Sequence, residues 1–179
     1  MPHPARGHRV CPDIELAFLI SCAGLHGFAM NTAIHVIKDK QLQGEKSKIL
    51  LNKLIRFNTP VLGIPDYNPI VLVVERNGEL IAGLSGYSLF GWLCVEVLWV
   101  AGHERRQGIG RALMTEVEEL ARERQCQGVY LDTFDFQAPG FYEALGYRQF
   151  GKLPNWPGGH ERLSYYKCIV SSSYFPVQK

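Results

Sequence analysis

Apolar positions along the chain change their period several times, and the changes mark out its elements. Between Ile109 and Arg124 they fall at Ile109, Ala112, Leu113, Val117, Leu120 and Ala121, the spacing of one helix face. The other face carries Arg111, Glu116, Glu119 and Arg122, and Glu118 stands four residues before Arg122, a favourable pair on a helix. A looser version of the same period from Gln41 to Phe57, through Leu42, Ile49, Leu50, Leu54 and Phe57, predicts an earlier helix. Thr59-Pro60 and the stretch Pro65 to Pro69 then mark a loop. Ala33 to Ile37 reads as a strand.

The middle of the chain has strand character. Ile70 to Glu75 is a continuous run of β-branched residues and Leu, Asn77-Gly78 is a two-residue hairpin turn, and Glu79 to Ser88 resumes with Leu80, Ile81, Leu84 and Tyr87. Gly83 and Gly86 inside that strand predict a bulge or a close approach of backbones. Phe90-Gly91-Trp92 turns the chain into a third strand, Leu93 to Ala101. After the Ile109 helix comes another strand, Gly128 to Thr133, and the strand–helix–strand unit places it parallel to Leu93–Ala101 through a right-handed crossover. A short helix near Ala138 to Leu145 follows, with Pro139 suited to its first turn and Gly146 to its stop. Strands near Tyr147 to Phe150 and Arg162 to Ile169 complete the series.

Between the third strand and its helix lies Arg105-Arg106-Gln107-Gly108-Ile109-Gly110. The first N–H groups of a helix lack intrahelical acceptors and the dipole there is positive, so the junction reads as an anion site. Gly108 and Gly110 clear the space in front of those N–H groups, and Arg105, Arg106 and Arg111 add charge. The competing reading is an ordinary strand-to-helix turn with a solvated basic rim. In open α/β sheets ligands settle beyond the carboxyl ends of parallel strands. That edge holds Val100, the two glycines, Asp132 and Thr133, and Tyr142 on the short helix is expected to face the same cleft.

Composition narrows the setting. A chain of 179 residues with 46% hydrophobic content suits one full-sized core. Its net charge of +2 comes from scattered basic residues, which gives no support to a nucleic-acid groove or an anionic membrane face. Five cysteines, Cys11, Cys22, Cys94, Cys126 and Cys168, have no Cys-x-x-Cys pair and read as reduced thiols; neither they nor the six histidines show metal-ligand spacing. Arg6 and Arg9 before the apolar run Ile14 to Ala23 raise a signal peptide, but Asp13 and Glu15 intrude and the run is too short to span a bilayer. Residues 1–29 are therefore read as an extension before a domain over 30–170, with 171–179 a tail, and the protein is expected in the cytoplasm.

Taken together, Leu98-Trp99-Val100, Arg105-x-x-Gly108-x-Gly110, Leu131-Asp132-Thr133-Phe134 and Gln137-Ala138-x-x-Phe141-Tyr142-x-x-x-Gly146-Tyr147 resemble the GNAT superfamily of acetyl-coenzyme A dependent N-acetyltransferases. The likeness covers Ile70 to Cys168 well and residues 30–69 in outline. It implies an α/β GNAT-like fold: a central mixed, mostly antiparallel sheet flanked by helices, with one parallel strand pair splayed to hold the cofactor. It also implies acetyl-coenzyme A as co-substrate, no metal, and a small-molecule or peptide amine as acceptor, and is compatible with a homodimer. On this likeness the pyrophosphate lies on the N–H groups of Arg106, Gln107, Gly108, Ile109 and Gly110, and the pantetheine arm pairs with Leu98 and Val100 beside Trp99. Gln137 and Phe141 also meet the cofactor.

Acyl transfer from a thioester to an amine needs a neutral amine, a stabilised oxyanion and a proton for the leaving thiolate. An alkyl amine of pKa about 10.4 is only about one part in 2,500 neutral at pH 7, so a base is useful. Glu96 is the first candidate, on the strand face shared with Leu98 and Val100 by simple alternation. The resemblance puts a carboxylate on this strand, although some relatives carry it where this chain has Cys94. Asp132 is the second candidate. Tyr142 matches the tyrosine that protonates the departing sulfur, and the oxyanion donor is a backbone N–H on the Leu98–Val100 strand. Tyr87, Trp92, Trp99 and the Pro154 to His160 loop are expected around the acceptor. The reading is an acetyl-coenzyme A dependent N-acetyltransferase acting by direct attack; the alternative is a non-catalytic module of the same fold that binds acyl-coenzyme A.

Overall fold

A computed structural model describes residues 34–170; the readings of 1–29, Ala33 and the 171–179 tail lie outside these. The described residues divide into two units between Gln43 and Gly44. In the first, residues 34–39 carry no regular structure, so the strand expected at Ala33 to Ile37 is not found among the described residues. No neighbouring strand pairs with these residues, and Ile34 and Val36 stay exposed; a lone strand has nowhere to send its N–H and C=O groups. Asp39 Oδ1 accepts the Leu42 N–H at 2.8 Å and so caps helix α1, Lys40–Leu62. The helix outlasts its predicted end because Pro60 falls in its last turn, where the missing N–H costs one bond; the turn closes on Gly63, at φ 79°.

In the second unit, β1 (Asn68–Arg76), β2 (Glu79–Leu89), β3 (Trp92–Val100), β4 (Gly128–Phe134), β5 (Arg148–Trp156) and β6 (His160–Cys168) form one sheet in the order β1-β2-β3-β4-β6-β5. Only β3 and β4 run parallel. Asn77 and Gly78, with φ of 54° and 79°, make the expected hairpin turn, and Phe90 and Gly91, at 49° and 73°, make a second. The crossover is helix α2, Ile109–Glu123, and the short helix α3 covers Pro139–Ala144. Two readings of the last strands change. β5 extends to Trp156, so Pro154, Asn155 and Trp156 belong to an edge strand, and only Pro157–Gly159 form the tight turn into β6.

The core lies where α2 and α3 cover one face of the sheet, with Leu93, Met114, Val117, Val129, Leu131 and Tyr165 fully buried. Ala112 is exposed and Met114 takes its place on the core face. The expected Glu118–Arg122 pair is also replaced: Glu118 is buried and bonds Lys167 of β6 at 2.7 and 2.8 Å, while Arg122 pairs with Glu119 at 2.6 Å. An inward carboxylate in the core must be neutralised where it lies, and Lys167 is the cation there. Cys94, Cys126 and Cys168 are free thiols. Among the described residues no helix is long and apolar enough to cross a membrane.

Gly86 has a specific structural duty. β2 and β3 pair as Ser85 with Val97 and Gly86 with Val95, so Glu96 is an extra residue on β3, a bulge. A Cβ on Gly86 would lie 2.0 Å from the Cys94 carbonyl oxygen, whereas one on Gly83 would meet Leu72 O at 3.0 Å. Overpacking of this severity costs about 3 kcal/mol or more. Gly86→Ala should therefore lower the thermal midpoint by roughly 6–12 °C in calorimetry, with Gly83→Ala costing clearly less.

Candidate functional site

Strand β3 pairs with β2 as far as Val100, opposite Ala82, but with β4 only from Trp92 to Val95, opposite Gly128 to Leu131. Beyond that point β4 continues alongside β6 to Phe134, and β3 and β4 part. The Ala101 N–H donates to Ile81 O at 2.9 Å. Because bonded pairs alternate in an antiparallel ladder, Trp99 also bonds back to β2, and the backbone groups of Leu98 and Val100 point away from it into the gap. One of them is taken, since the Val100 carbonyl accepts Nε of Arg105 at 3.0 Å. The Val100 N–H and both backbone groups of Leu98 remain directed there.

At the end of this gap stands the β3–α2 junction. Arg106, at φ 62°, and Gly108, at φ 87° and ψ −7°, are left-handed on either side of Gln107, an alternation that turns successive N–H groups to one side. The first bond of α2 is Ala112 N–H to Gly108 O at 2.9 Å, so the N–H groups of Ile109, Gly110 and Arg111 have no acceptor in the helix. No side chain caps them. Arg106 and Arg111 are exposed, and no carboxylate pairs with either among the described residues. Gln107 folds its side chain back, Nε2 donating to His103 O at 3.2 Å, which leaves its backbone as the part that faces outward. Glu104, buried just before the arginines, accepts Arg76 from the end of β1 and fastens the loop to the sheet. Sequence reasoning missed this brace, because Arg76 lies 28 residues away.

Helix α3 closes the other side. A Cβ on Gly110 would lie 3.4 Å from Cζ of Phe141 and 3.8 Å from Cγ2 of Val100, so the glycine loop, the β3 end and α3 meet at one point. Gln137 spends its Oε1 within the β4–α3 turn, accepting from the Thr133 hydroxyl and the Phe134 N–H, both at 3.0 Å; its amide nitrogen is the part free for a ligand. Tyr142 is buried, with ring centroids 6.1 Å from Tyr147 and 6.3 Å from Tyr165. Burial pushes its phenol pKa up, which keeps the proton on the oxygen.

Glu96 and Tyr142 lie on opposite faces of the sheet, which corrects two expectations. The bulge at Glu96 shifts the alternation of β3, so that Leu98 and Val100 pack on the same core as Leu93 and Val95. Glu96 is exposed on the other side and lines a cleft of about 490 Å³ with Tyr87, Cys94, Tyr130, Asp132 and Arg162. Tyr142 is not among the residues lining this cleft; it stands on the core side. The gap between β3 and β4 separates the two.

Within the cleft Asp132 is fully engaged, Oδ2 by Arg162 and Oδ1 by the Ser164 hydroxyl, both at 2.6 Å. No ion pair forms at Glu96 among the described residues. Burial pushes the Cys94 thiol up against the opposing effect of hydrogen bonds with Tyr130 and Tyr87, so it stays protonated at neutral pH. Of the residues expected round the acceptor, Tyr87 lines the cleft, but Trp92 packs edge-on against Tyr130 and Tyr166 and Trp99 stands exposed on β3. Trp156 packs edge-on against Phe134 at 5.1 Å, under Arg162 at 5.9 Å. His160 is held by Asp135 at 3.0 Å and by the Phe136 ring. Arg162 was legible only as part of a strand; its partner lies 30 residues away.

Residues 37–147 match the model of the acetyltransferase (GNAT) family. The chain is 45% identical over 85 residues to a blasticidin-S acetyltransferase of Streptomyces morookaense, a match covering 47% of this chain and 62% of that protein, less than two thirds of its length. Over 110 residues it is 33% identical to an acetyltransferase of Agrobacterium fabrum, covering 61% of this chain and 80% of that one. A crystal structure of an acetyltransferase from Bacillus cereus superposes with a TM-score of 0.66 at 33% identity, covering 75% of this chain and 97% of that chain.

Proposed function

Because the chain belongs to the GNAT family of acetyltransferases, we propose that it transfers the acetyl group of acetyl-coenzyme A to a primary amine by direct attack in a ternary complex. The observation that carries this reading is the meeting of an uncapped helix N-terminus with the end of a parted strand pair at Gly110, Phe141 and Val100. One end suits a pyrophosphate, which charge and backbone N–H groups hold together. The gap suits an extended arm that takes the ladder bonds β4 no longer makes.

Bound acetyl-coenzyme A supplies an activated acetyl group with a thiolate as leaving group. The N–H groups of Arg106 to Gly110 grip phosphate, and Arg106 and Arg111 add charge, while Arg105 braces the strand end through Val100 and adds its remaining N–H groups. Leu98 and Val100 orient the arm; Trp99, Gln137 and Phe141 border it. A backbone N–H in the Leu98–Val100 stretch donates to the carbonyl oxygen as its charge grows. Tyr142, its proton held by burial, gives that proton to the sulfur. From the opposite face Glu96 takes a proton from the incoming ammonium, directly or through water. Asp132, occupied by Arg162 and Ser164, positions the acceptor rather than accepting its proton.

The acceptor in this reading is a small-molecule amine. A polar cleft with one unpaired carboxylate, among Tyr87, Tyr130 and Cys94, suits a cationic compound with hydrogen-bonding groups, and the name of the Streptomyces relative makes blasticidin S the first compound to try. The protein would work in the cytoplasm. Thiol detection with purified protein, acetyl-coenzyme A and amines of several classes tests the proposal, with release expected for at least one. Binding of acetyl-coenzyme A without release for any amine would assign a non-catalytic module instead. Glu96→Gln should lower kcat/KM at pH 7 by about 10²-fold. Its deficit should shrink as pH rises toward the amine pKa, because the neutral amine then no longer needs a base; a pH profile parallel to wild type would remove Glu96 from this role.

A further inference from the structure

Four aromatic rings gather where strand β4 leaves the acceptor cleft. Phe134 lines that cleft together with Gln137 and Arg162, and Phe136 stacks on it with ring centroids 5.4 Å apart and planes 14° from parallel. Trp156 meets Phe134 edge-on and carries the Arg162 guanidinium over its own ring, and both Phe134 and Trp156 are half-buried. Phe136 is the open member of the group. Beyond Phe134 it meets the edge of His160, with centroids 4.6 Å apart, and it remains 61% exposed.

The turn that carries Phe136 is pinned on both sides. The Asp135 N–H donates to Glu161 O at 3.1 Å, and Gln137 Oε1 accepts the Phe134 N–H at 3.0 Å. The Asp135 carboxylate in turn holds the His160 ring, also at 3.0 Å, with its edge against Phe136. These bonds are made by backbone and by residues 135, 137 and 160, so the turn closes without a phenyl group at 136. A large apolar ring left in water is a cost that its own packing does not remove. A ring already fixed in place, however, asks a ligand for little ordering when it stacks there.

We propose that Phe134 and Phe136 form a subsite for a planar conjugated ring at the far end of the acceptor, whose amine meets Glu96 in the same cleft; this rests on the reading of that cleft as the acceptor site. Aromatic rings favour offset-stacked or edge-to-face neighbours, and the exposed Phe136 offers both. The amide nitrogen of Gln137 and the N–H groups of Arg162 not given to Asp132 stand beside Phe134 as donors, which suits a ring bearing hydrogen-bond acceptors. A cleft of about 490 Å³ is of the size that takes one small molecule. The substrate class is therefore an amine joined to a planar ring, rather than an open-chain polyamine, and His160 is a positioning residue for Phe136.

Calorimetric titration of the full-length protein in the presence of coenzyme A tests the subsite. The probes are primary amines carrying a phenyl ring on short and longer methylene spacers, each beside its cyclohexyl counterpart, which has similar size but no π face. At least one phenyl compound should bind about 3–10-fold more tightly than its counterpart. Phe136→Leu should bring that ratio toward one, and Phe136→Trp should keep or raise it. No phenyl preference in any pair, or a preference that Phe136→Leu leaves intact, would overturn the proposal. The titration needs no turnover, whereas thiol release from acetyl-coenzyme A reads the transfer itself. Ring preference without thiol release would keep the subsite and remove the reaction; thiol release without ring preference would do the reverse.

Discussion

Tyr142→Phe should lower kcat by about 10²–10³-fold, the range for a positioned general acid, with the dissociation constant for acetyl-coenzyme A changed less than about twofold. The ring stays, so its packing on Tyr147 and Tyr165 persists; only the hydroxyl is lost. Thiolate expelled into an apolar setting without a proton is a poor leaving group, and Tyr142 is the buried phenol of α3. Because burial raises its pKa, the wild-type phenol keeps its proton beyond the usual value near 10, so no loss of rate below that pH should trace to its ionisation. Steady-state kinetics with a calorimetric titration separates the two effects. Equal losses in rate and affinity would mean that Tyr142 is a packing residue, and an unchanged kcat would exclude it from the proton transfer.

Gly108→Val should weaken acetyl-coenzyme A binding by at least about 100-fold. Two hydrogen bonds from backbone N–H to charged phosphate oxygens are worth about 3–6 kcal/mol together, and a branched side chain in front of the helix N-terminus blocks them. Beyond its own chain neighbours no atom lies within 4 Å of a Cβ built at Gly108, so the side chain enters open space. The folding cost of the substitution comes from the left-handed backbone, φ 87°, about 1–3 kcal/mol. A variant that melts a few degrees lower yet still binds acetyl-coenzyme A normally would place the pyrophosphate elsewhere.

Local signals carried most of the fold into the sequence. Asn77-Gly78, the period of α2, Pro139 at the start of α3 and Gly146 at its stop each depend on residues a few places apart, and each stands where expected. Gly86 announced a close approach, but which strand would bulge depended on β3. That single extra residue at Glu96 moved the carboxylate to the other face from Leu98 and Val100. The parting of β3 from β4 after Val95 likewise has no local mark. Arg76–Glu104, Arg162–Asp132 and Lys167–Glu118 join residues 28 to 49 apart, and ion pairs at such separation follow from topology alone. Gly151 and Pro154 interrupt the strand pattern after Phe150, yet β5 runs on to Trp156, because an edge strand tolerates both.

Equilibrium titration of the wild-type protein with acetyl-coenzyme A and, in parallel, with acetyl-pantetheine tests the central claim, that the β3–α2 junction is a pyrophosphate cradle at the mouth of an arm-binding gap. One equivalent of acetyl-coenzyme A should bind per chain, and acetyl-pantetheine, which lacks the pyrophosphate, should bind at least about 100-fold more weakly. Equal affinity for the two, or no binding of acetyl-coenzyme A, would contradict it.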